Sequence, residues 1–191
     1  VLRVVNYGSI QSAVGIGIEI DASISAFVLN TGTILPGVGN RAISATNSDG
    51  ITLVNMGTMG AGSVAVSLGD LNDVVWNAGT VIGDLNLNDG DNLYQGPGRV
   101  IGTILAGPGA DTIIGGGFDD RIEGRGGSDW LAGGDGDDLL RPGAGADSIE
   151  GGAGRDMLDY APSLTGVAVF LETGTGARGD AAGDVFDGIE R

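Results

Sequence analysis

Residues 106–159 divide into six units of nine residues: AGPGADTII, GGGFDDRIE, GRGGSDWLA, GGDGDDLLR, PGAGADSIE and GGAGRDMLD. The sixth position of every unit is Asp, and the eighth is Ile or Leu. A fixed period is typical of a solenoid, in which each repeat stacks on its neighbours. We predict that six residues of each unit form a Gly-rich turn and three form a short strand, whose middle residue points inward.

The nonapeptide period brings acidic side chains together. Nine residues make half a coil, so units 18 residues apart stack directly and place their Asp carboxylates about 4.8 Å apart. A bare column of carboxylates repels itself, whereas a divalent cation between each pair reverses the sign of the interaction. The available ligands are Asp oxygens and Gly carbonyls in a flexible loop, which favours Ca²⁺ over Zn²⁺, Cu²⁺ or Mg²⁺. The candidate ligands at position six are Asp111, Asp120, Asp129, Asp138, Asp147 and Asp156.

A second, looser repeat covers residues 1–82. Its core is two apolar residues, Asn, any residue, Gly, Ser or Thr, and an apolar residue, and its Asn residues are Asn6, Asn30, Asn55 and Asn77. Stretches of alternating apolar residues precede the last three of these, which indicates strands with one buried face. We predict about four coils of 22–25 residues in a parallel β-helix, with the Asn amides stacked as a ladder.

The composition excludes several functional classes. The chain has 39 Gly in 191 residues, no Cys, no His and a net charge of −16. It therefore has no disulfide, no Cys/His zinc site and no Ser-His-Asp triad. The negative charge disfavours nucleic-acid binding, and no apolar run is long enough for a transmembrane segment. The sequence opens at Val1 and stops at Arg191 in continuing pattern, so we interpret it as a piece of a longer protein.

Together these patterns predict an all-β chain, a parallel β-helix solenoid that continues into a parallel β-roll. We expect the β-helix over residues 1–82, a graded junction over 83–105, the six-nonapeptide roll over 106–159, and a C-terminal flanking or capping segment over 160–191.

The nonapeptides resemble the RTX (hemolysin-type) calcium-binding repeats of proteins exported by bacterial type I secretion, which form a calcium-loaded parallel β-roll. Residues 173–190 are similar to segments that follow such repeats, and the first 100 residues resemble right-handed β-helix segments of bacterial surface and secreted proteins. The resemblance implies a Ca²⁺-binding segment of a large secreted or surface protein. Such a segment folds on calcium outside the cell, is extracellular or attached to the cell surface, and is structural or adhesive rather than an enzyme.

The resemblance also implies a ligand set. Each ion takes the carbonyls of positions two and four and the Asp of one unit, together with the carbonyls of positions one and three and the Asp of the unit 18 residues on. About four internal sites follow: Gly107, Gly109 and Asp111 with Gly124, Gly126 and Asp129; Gly116, Phe118 and Asp120 with Gly133, Asp135 and Asp138; Arg125, Gly127 and Asp129 with Pro142, Ala144 and Asp147; Gly134, Gly136 and Asp138 with Gly151, Ala153 and Asp156. We expect the second and third sites to be weaker, because Phe118 and Arg125 replace Gly where the turn favours positive φ.

Two alternatives stay open. A β-helix joined to such repeats also resembles parts of polysaccharide-active enzymes, epimerases and lyases, although the charged residues of 1–100 do not recur at one coil position. Asp135, Asp137 and Asp138 could form a catalytic cluster, but they lie inside a nonapeptide, so we interpret them as part of a calcium loop. Besides calcium, the candidate partners are a cell-surface polysaccharide and other copies of the same protein. Trp130, at the outward position seven, is placed to stack on either.

Overall fold

The computed structural model describes residues 2–13, 15–21, 25–37, 39–46, 49–60 and 62–191, and Val1 of the predicted β-helix lies outside these residues. Within them the chain forms three sheets of short strands and one 3₁₀ turn, Gly179–Ala181. Every strand before residue 160 pairs in parallel with the strands one coil away. The chain is therefore a parallel β solenoid, as the repeats predict.

The strands of each sheet come from successive coils. The first sheet, in spatial order, contains β1 (Leu2–Asn6), β4 (Ala26–Asn30), β7 (Ile51–Asn55), β10 (Val74–Asn77), β13 (Leu93–Gln95), β16 (Thr112–Gly116), β18 (Trp130–Asp135), β20 (Ser148–Ala153), β24 (Val185–Asp187), β23 (Thr175–Arg178) and β22 (Ala168–Phe170). The second contains β2 (Ser9–Gln11), β5 (Thr33–Leu35), β8 (Thr58–Met59), β11 (Thr80–Ile82) and β14 (Arg99–Ile101). The third contains β3 (Ile18–Asp21), β6 (Ile43–Thr46), β9 (Val64–Ser67), β12 (Asp84–Asn86), β15 (Ile104–Pro108), β17 (Arg121–Gly127), β19 (Leu139–Gly145) and β21 (Met157–Leu158).

The cross-section of the solenoid changes along the chain. Each coil up to β14 has three strands, whereas the coils after it have only the strands of the first and third sheets. The sequence separation between stacked residues falls from 25 at Asn30 and Asn55 to 18 at Asp111 and Asp129. A three-sided β-helix thus becomes a two-sided β-roll without a break in the first sheet.

The strands of the roll are longer than the sequence predicts. We expected three residues per strand, but β17 and β19 have seven residues each. The three-residue prediction is wrong because the first residues of each turn still pair with the layer below, as at Arg125 and Gly143. The turns are consequently tied to one another by main-chain hydrogen bonds as well as by their side chains.

The apolar core contains a ladder that runs through the first sheet and packs with buried residues of the other two sheets. Val75 stacks on Tyr94, Tyr94 on Ile113 and Ile113 on Leu131, and all four side chains are buried. The inward orientation predicted for position eight is confirmed, because Ile113, Ile122, Leu131 and Leu140 are fully buried. Burying apolar surface contributes about 25 cal/mol per Å² to the free energy of folding. The buried position-eight side chains therefore stabilise the narrow roll.

The β-helix has a second ladder, made of Asn side chains. The Nδ2 groups of Asn6, Asn30 and Asn55 each donate to the Oδ1 of the Asn in the next coil, at 2.8, 2.9 and 2.8 Å. Asn77 ends this row by donating to the Tyr94 hydroxyl at 3.3 Å. The predicted Asn ladder is confirmed, and it satisfies polar groups that the core would otherwise leave unpaired.

The chain after the last repeat returns to the roll. Strands β22 and β23 form an antiparallel pair, and β24 adds in parallel to the edge of β20. Phe186 of β24 lies over Ile149 and extends the apolar ladder by one layer. No helix in the described part of the chain has the length and apolar character needed to cross a membrane.

Candidate metal sites

The position-six Asp residues form two columns, one at each edge of the roll. In each column the main-chain N–H of one Asp donates to Oδ1 of the Asp 18 residues later. The donor–acceptor distances are 2.9 Å for Asp111 to Asp129, 2.9 Å for Asp129 to Asp147, 2.7 Å for Asp120 to Asp138 and 3.0 Å for Asp138 to Asp156. Each turn therefore holds the carboxylate of the next layer in a fixed orientation.

The second oxygen of these carboxylates has no partner within the protein. The described residues contain six buried carboxylate oxygens without a hydrogen bond, those named Oδ2 of Asp73, Asp111, Asp129, Asp138, Asp147 and Asp156. A buried polar atom without a partner is costly, and a carboxylate oxygen is more costly than a neutral one. Five of the six belong to nonapeptides, so the repeat geometry itself creates acceptors that a bound cation would satisfy.

The first residue of each turn leaves room for these oxygens. A methyl group on Gly124 would lie 2.5 Å from Asp129 Oδ2 and closer still to the Pro142 carbonyl oxygen. At Gly133 it would clash with Asp138 Oδ2 and lie 2.6 Å from the Gly151 carbonyl oxygen. Each of these glycines thus faces two oxygens that converge. One is the carboxylate oxygen of its own turn, and the other is a carbonyl oxygen of the next layer.

Main-chain oxygens are essential to any metal site here. Among the residues that the structure describes, no three acidic side chains come together as a metal-binding cluster. The donors that do converge are carboxylate and carbonyl oxygens from two layers, which are the hard ligands that Ca²⁺ prefers. The arrangement fits a calcium ion between successive turns, with Asp and turn carbonyls as its ligands.

The two departures from the repeat pattern behave differently. Arg125 has a φ of +78°, so the strain expected there is present and costs about 1 kcal/mol or more. The expectation of strain at Phe118 is wrong, because neither Phe118 nor Gly116 has positive φ. The Phe118 ring instead lies 5.5 Å from the Arg99 guanidinium, so the 115–120 turn takes a different path while Asp120 keeps its place in the column.

Burial raises the pKa of five position-six carboxyl groups, those of Asp111, Asp120, Asp129, Asp138 and Asp147. The pKa rises from 3.8 to about 7 for Asp120 and Asp129, and to about 6 for Asp138 and Asp147. Desolvation is the largest cause, and the negative charge of the next carboxylate in the column adds to it. The fold therefore disfavours ionisation of these carboxyl groups, and a cation bound between them would oppose that effect.

Comparison with known families agrees with this geometry. A family model described as the RTX calcium-binding nonapeptide repeat matches residues 105–140 and 142–161, with four copies. Residues 105–161 are RTX repeats. No curated protein and no solved structure gives a significant match to the chain. The matched family is one of calcium-binding repeats, and the match does not extend into the β-helix before residue 105.

The structure brings together the two turns of each of the four predicted RTX sites. Gly107 and Pro108 pair with Arg125 and Gly126, and the other three sites show the same adjacency of layers. The turns of the first, third and fourth sites have positive φ at positions two and four on the lower layer, whereas the second has it at neither. The roles of the individual carbonyls as ligands stay predictions.

Sequence reasoning missed the ends of both columns. Asp184 accepts from the Asp147 N–H at 2.9 Å, and Glu190 accepts from the Asp156 N–H at 2.8 Å. At the other end, Asp73 and Asn92 continue the first column at separations of 19 residues. The 37- and 34-residue steps break the nine-residue period, so no periodic signal points to Asp184 or Glu190, whereas Asn92 lies in a degenerate copy of the repeat at residues 88–94.

Proposed function

We propose that the chain is a calcium-dependent folding module of a large secreted or cell-surface protein, structural or adhesive rather than catalytic. The observation that carries the proposal is the set of five buried, unpartnered Asp oxygens in the repeats. For Asp129, Asp138 and Asp156 this oxygen converges with a carbonyl oxygen of the adjacent layer. The four internal sites predicted from the repeats, those joining Asp111 to Asp129, Asp129 to Asp147, Asp120 to Asp138 and Asp138 to Asp156, would hold the ions.

The mechanism is thermodynamic linkage between binding and folding. The ligands of each ion come from two layers, so they are in place only when the roll is wound. Calcium then binds the folded chain and not the unfolded chain, and its binding free energy becomes folding free energy. Extracellular calcium modules typically have dissociation constants of about 10⁻⁴ to 10⁻³ M, which leaves the roll unfolded at cytosolic calcium and folded outside.

The β-helix supports the roll without depending on calcium. The side chains of Asn6, Asn30, Asn55 and Asn77 satisfy one another and the Tyr94 hydroxyl in the Asn ladder, and the apolar ladder continues into the roll through Tyr94. We infer that residues 1–82 act as a stalk or spacer onto which the roll is built. The ligand of any adhesive surface would be a polysaccharide or another copy of the protein.

Calcium titration of the 191-residue chain tests the proposal. We expect far-UV circular dichroism to show gain of β structure and calorimetry to show a large rise in Tm as calcium reaches millimolar levels. Asp129→Ala and Asp138→Ala each remove a carboxylate that faces two layers, so the calcium midpoint should rise about tenfold or more. Glu150→Ala, an exposed acid in the same array, is the matched control and should leave the midpoint unchanged.

Two outcomes would contradict the proposal. If chelator leaves hydrogen-exchange protection in residues 106–159 unchanged, calcium is not what folds the roll. If Glu150→Ala shifts the midpoint as far as Asp129→Ala does, the effect is general electrostatics and the columns are not sites.

A further inference from the structure

The C-terminal segment adds a layer to the second carboxylate column. Strand β24 pairs with β20 in register, with Ser148 opposite Val185 and Ile149 opposite Phe186. The residues that follow β24 consequently lie over the last nonapeptide turn. This turn, 151–156, has no nonapeptide above it, because the repeats end at residue 159.

Asp156 is the acid that this layer covers. Its side chain is fully buried, its Oδ1 accepts from the Asp138 N–H at 3.0 Å, and its Oδ2 has no hydrogen-bond partner. Two hydrogen bonds join the main chain of Asp156 to Glu190. The Asp156 N–H donates to Glu190 Oε2 at 2.8 Å, and the Asp156 carbonyl accepts from the Glu190 N–H at 3.1 Å. The Glu190 carboxylate, from outside the repeats, therefore accepts the hydrogen bond that the next Asp of the column accepts elsewhere.

A carbonyl oxygen from the same segment faces the unpartnered oxygen. A methyl group on Gly151 would lie 2.7 Å from Asp156 Oδ2 and would clash with the Gly188 carbonyl oxygen. One layer below, Gly133 is related in the same way to Asp138 Oδ2 and the Gly151 carbonyl. Gly188 thus stands where the first residue of a repeat would stand, and Glu190 stands where its Asp would stand.

We propose that Asp156, the Gly188 carbonyl and Glu190 form a further Ca²⁺ site that joins the C-terminal segment to the roll. The inference rests on the proposed calcium-binding function of the repeats and adds a site to it. Two carboxylates match the charge of one divalent cation, and the oxygen donors are of the class that calcium prefers. The ion would replace the missing partner of Asp156 Oδ2.

The first column ends differently, which sets this site apart. There the last acid is Asp184, and its Oδ2 accepts a hydrogen bond from the Tyr160 hydroxyl. A protein donor therefore satisfies the final oxygen of the first column. No described side chain does the same for Asp156, so its last oxygen is left for an ion from solvent.

The number of ions bound per chain tests the site. Equilibrium dialysis at saturating calcium should show about one ion fewer for Glu190→Gln than for the parent chain, or at least a tenfold weaker last site. Glu172→Gln, an exposed acid of the same C-terminal segment, makes the same change in charge and should bind as many ions as the parent. Equal stoichiometry and affinity in Glu190→Gln and the parent would overturn the inference.

Amide hydrogen exchange separates a local site from a general loss of folding. In Glu190→Gln, calcium-dependent protection should fall in residues 185–191 and persist in residues 106–150. Loss of protection and of several ions across the whole roll would overturn a local site. A parent chain that binds no calcium at all would overturn the proposed function itself, whereas a parent that binds calcium with an unaffected Glu190→Gln variant would overturn only this site.

Discussion

The side-chain amide of Asn92 donates a hydrogen bond to the carbonyl oxygen of Gly90, at 3.1 Å. The same Nδ2 also reaches the Asn88 carbonyl at 3.4 Å. Asn92 occupies the position that Asp111 occupies one coil later, where Oδ2 has no partner. In this coil a neutral N–H group satisfies the turn carbonyls that the family pattern would assign to an ion, so we expect no ion in the turn of Asn92.

Asn92→Asp tests this arrangement. The change removes the donor and places a second buried carboxylate beside two carbonyl oxygens. Without calcium we expect a loss of about 1–3 kcal/mol in the free energy of unfolding, because the buried groups lose their partner. With calcium we expect the loss to be recovered and one more ion to bind, measured by calorimetry and equilibrium dialysis. Asn72→Asp is the control, since Asn72 is exposed and only accepts a hydrogen bond from the Asp91 N–H. Identical calcium dependence in the two variants would contradict the prediction.

Gly133→Ala tests the space above the first residue of a turn. The methyl group would enter the position where Asp138 Oδ2 and the Gly151 carbonyl converge. We expect a destabilisation of about 1–3 kcal/mol from overpacking and a higher calcium midpoint in a titration followed by circular dichroism. Gly117→Ala is the matched control in the same array, because nothing lies within 4 Å of the added methyl group. A Gly133→Ala midpoint equal to that of Gly117→Ala would show that this space is not part of a site.

The pH dependence of the calcium-free roll should be the reverse of that of most proteins. Burial raises the pKa of Asp129 to about 7 and that of Asp138 to about 6. A raised pKa in the folded state contributes stability that is complete below about pH 4 and is lost as the pH rises through 6 to 7. In chelator, the fraction of the roll that is folded, and with it Tm, should therefore fall between pH 5 and pH 8.

Calcium should change the sign of this trend. Protons and ions compete for the same carboxylates, so the calcium midpoint should rise as the pH falls from 8 to 5. Tm measured by calorimetry across this range, with chelator and with millimolar calcium, gives both slopes. A chelated chain whose Tm increases from pH 5 to pH 8 would show that the column carboxylates do not control the stability of the roll.

Asn55→Ala should destabilise the β-helix independently of calcium. Asn55 is fully buried, accepts from Asn30 at 2.9 Å and donates to Asn77 at 2.8 Å. Its removal takes one hydrogen bond from Asn30 Nδ2 and one from Asn77 Oδ1, which keep only their longer contacts with the Thr58 carbonyl and the Gly79 N–H, at a cost of about 1 kcal/mol for each lost bond. Thermal unfolding should show the same loss with chelator and with calcium, in contrast to Asp129→Ala, which should be destabilising only when calcium is present. A calcium-dependent effect of Asn55→Ala would mean that the two ladders are not separate sources of stability.

The periodic part of the fold follows from the sequence, and the aperiodic part does not. Asp at every ninth position predicts that Asp111 stacks on Asp129, and Ile or Leu two residues later predicts the buried ladder through Ile113. The turn at Phe118 escapes prediction, because a contact between its ring and Arg99 replaces the usual backbone geometry. Glu190 escapes it too, since its place above Asp156 depends on the path of residues 160–189, which carry no repeat.

The continuous first sheet has a consequence for how the molecule assembles. Strand β13 belongs to the coil in which the Asn92 side chain satisfies the turn carbonyls, and its edge pairs with β16. Repeat proteins grow by adding units to an existing face, which avoids the cost of starting a new nucleus. We expect winding to begin at this edge and to advance toward the C-terminus one coil at a time, as calcium is taken up.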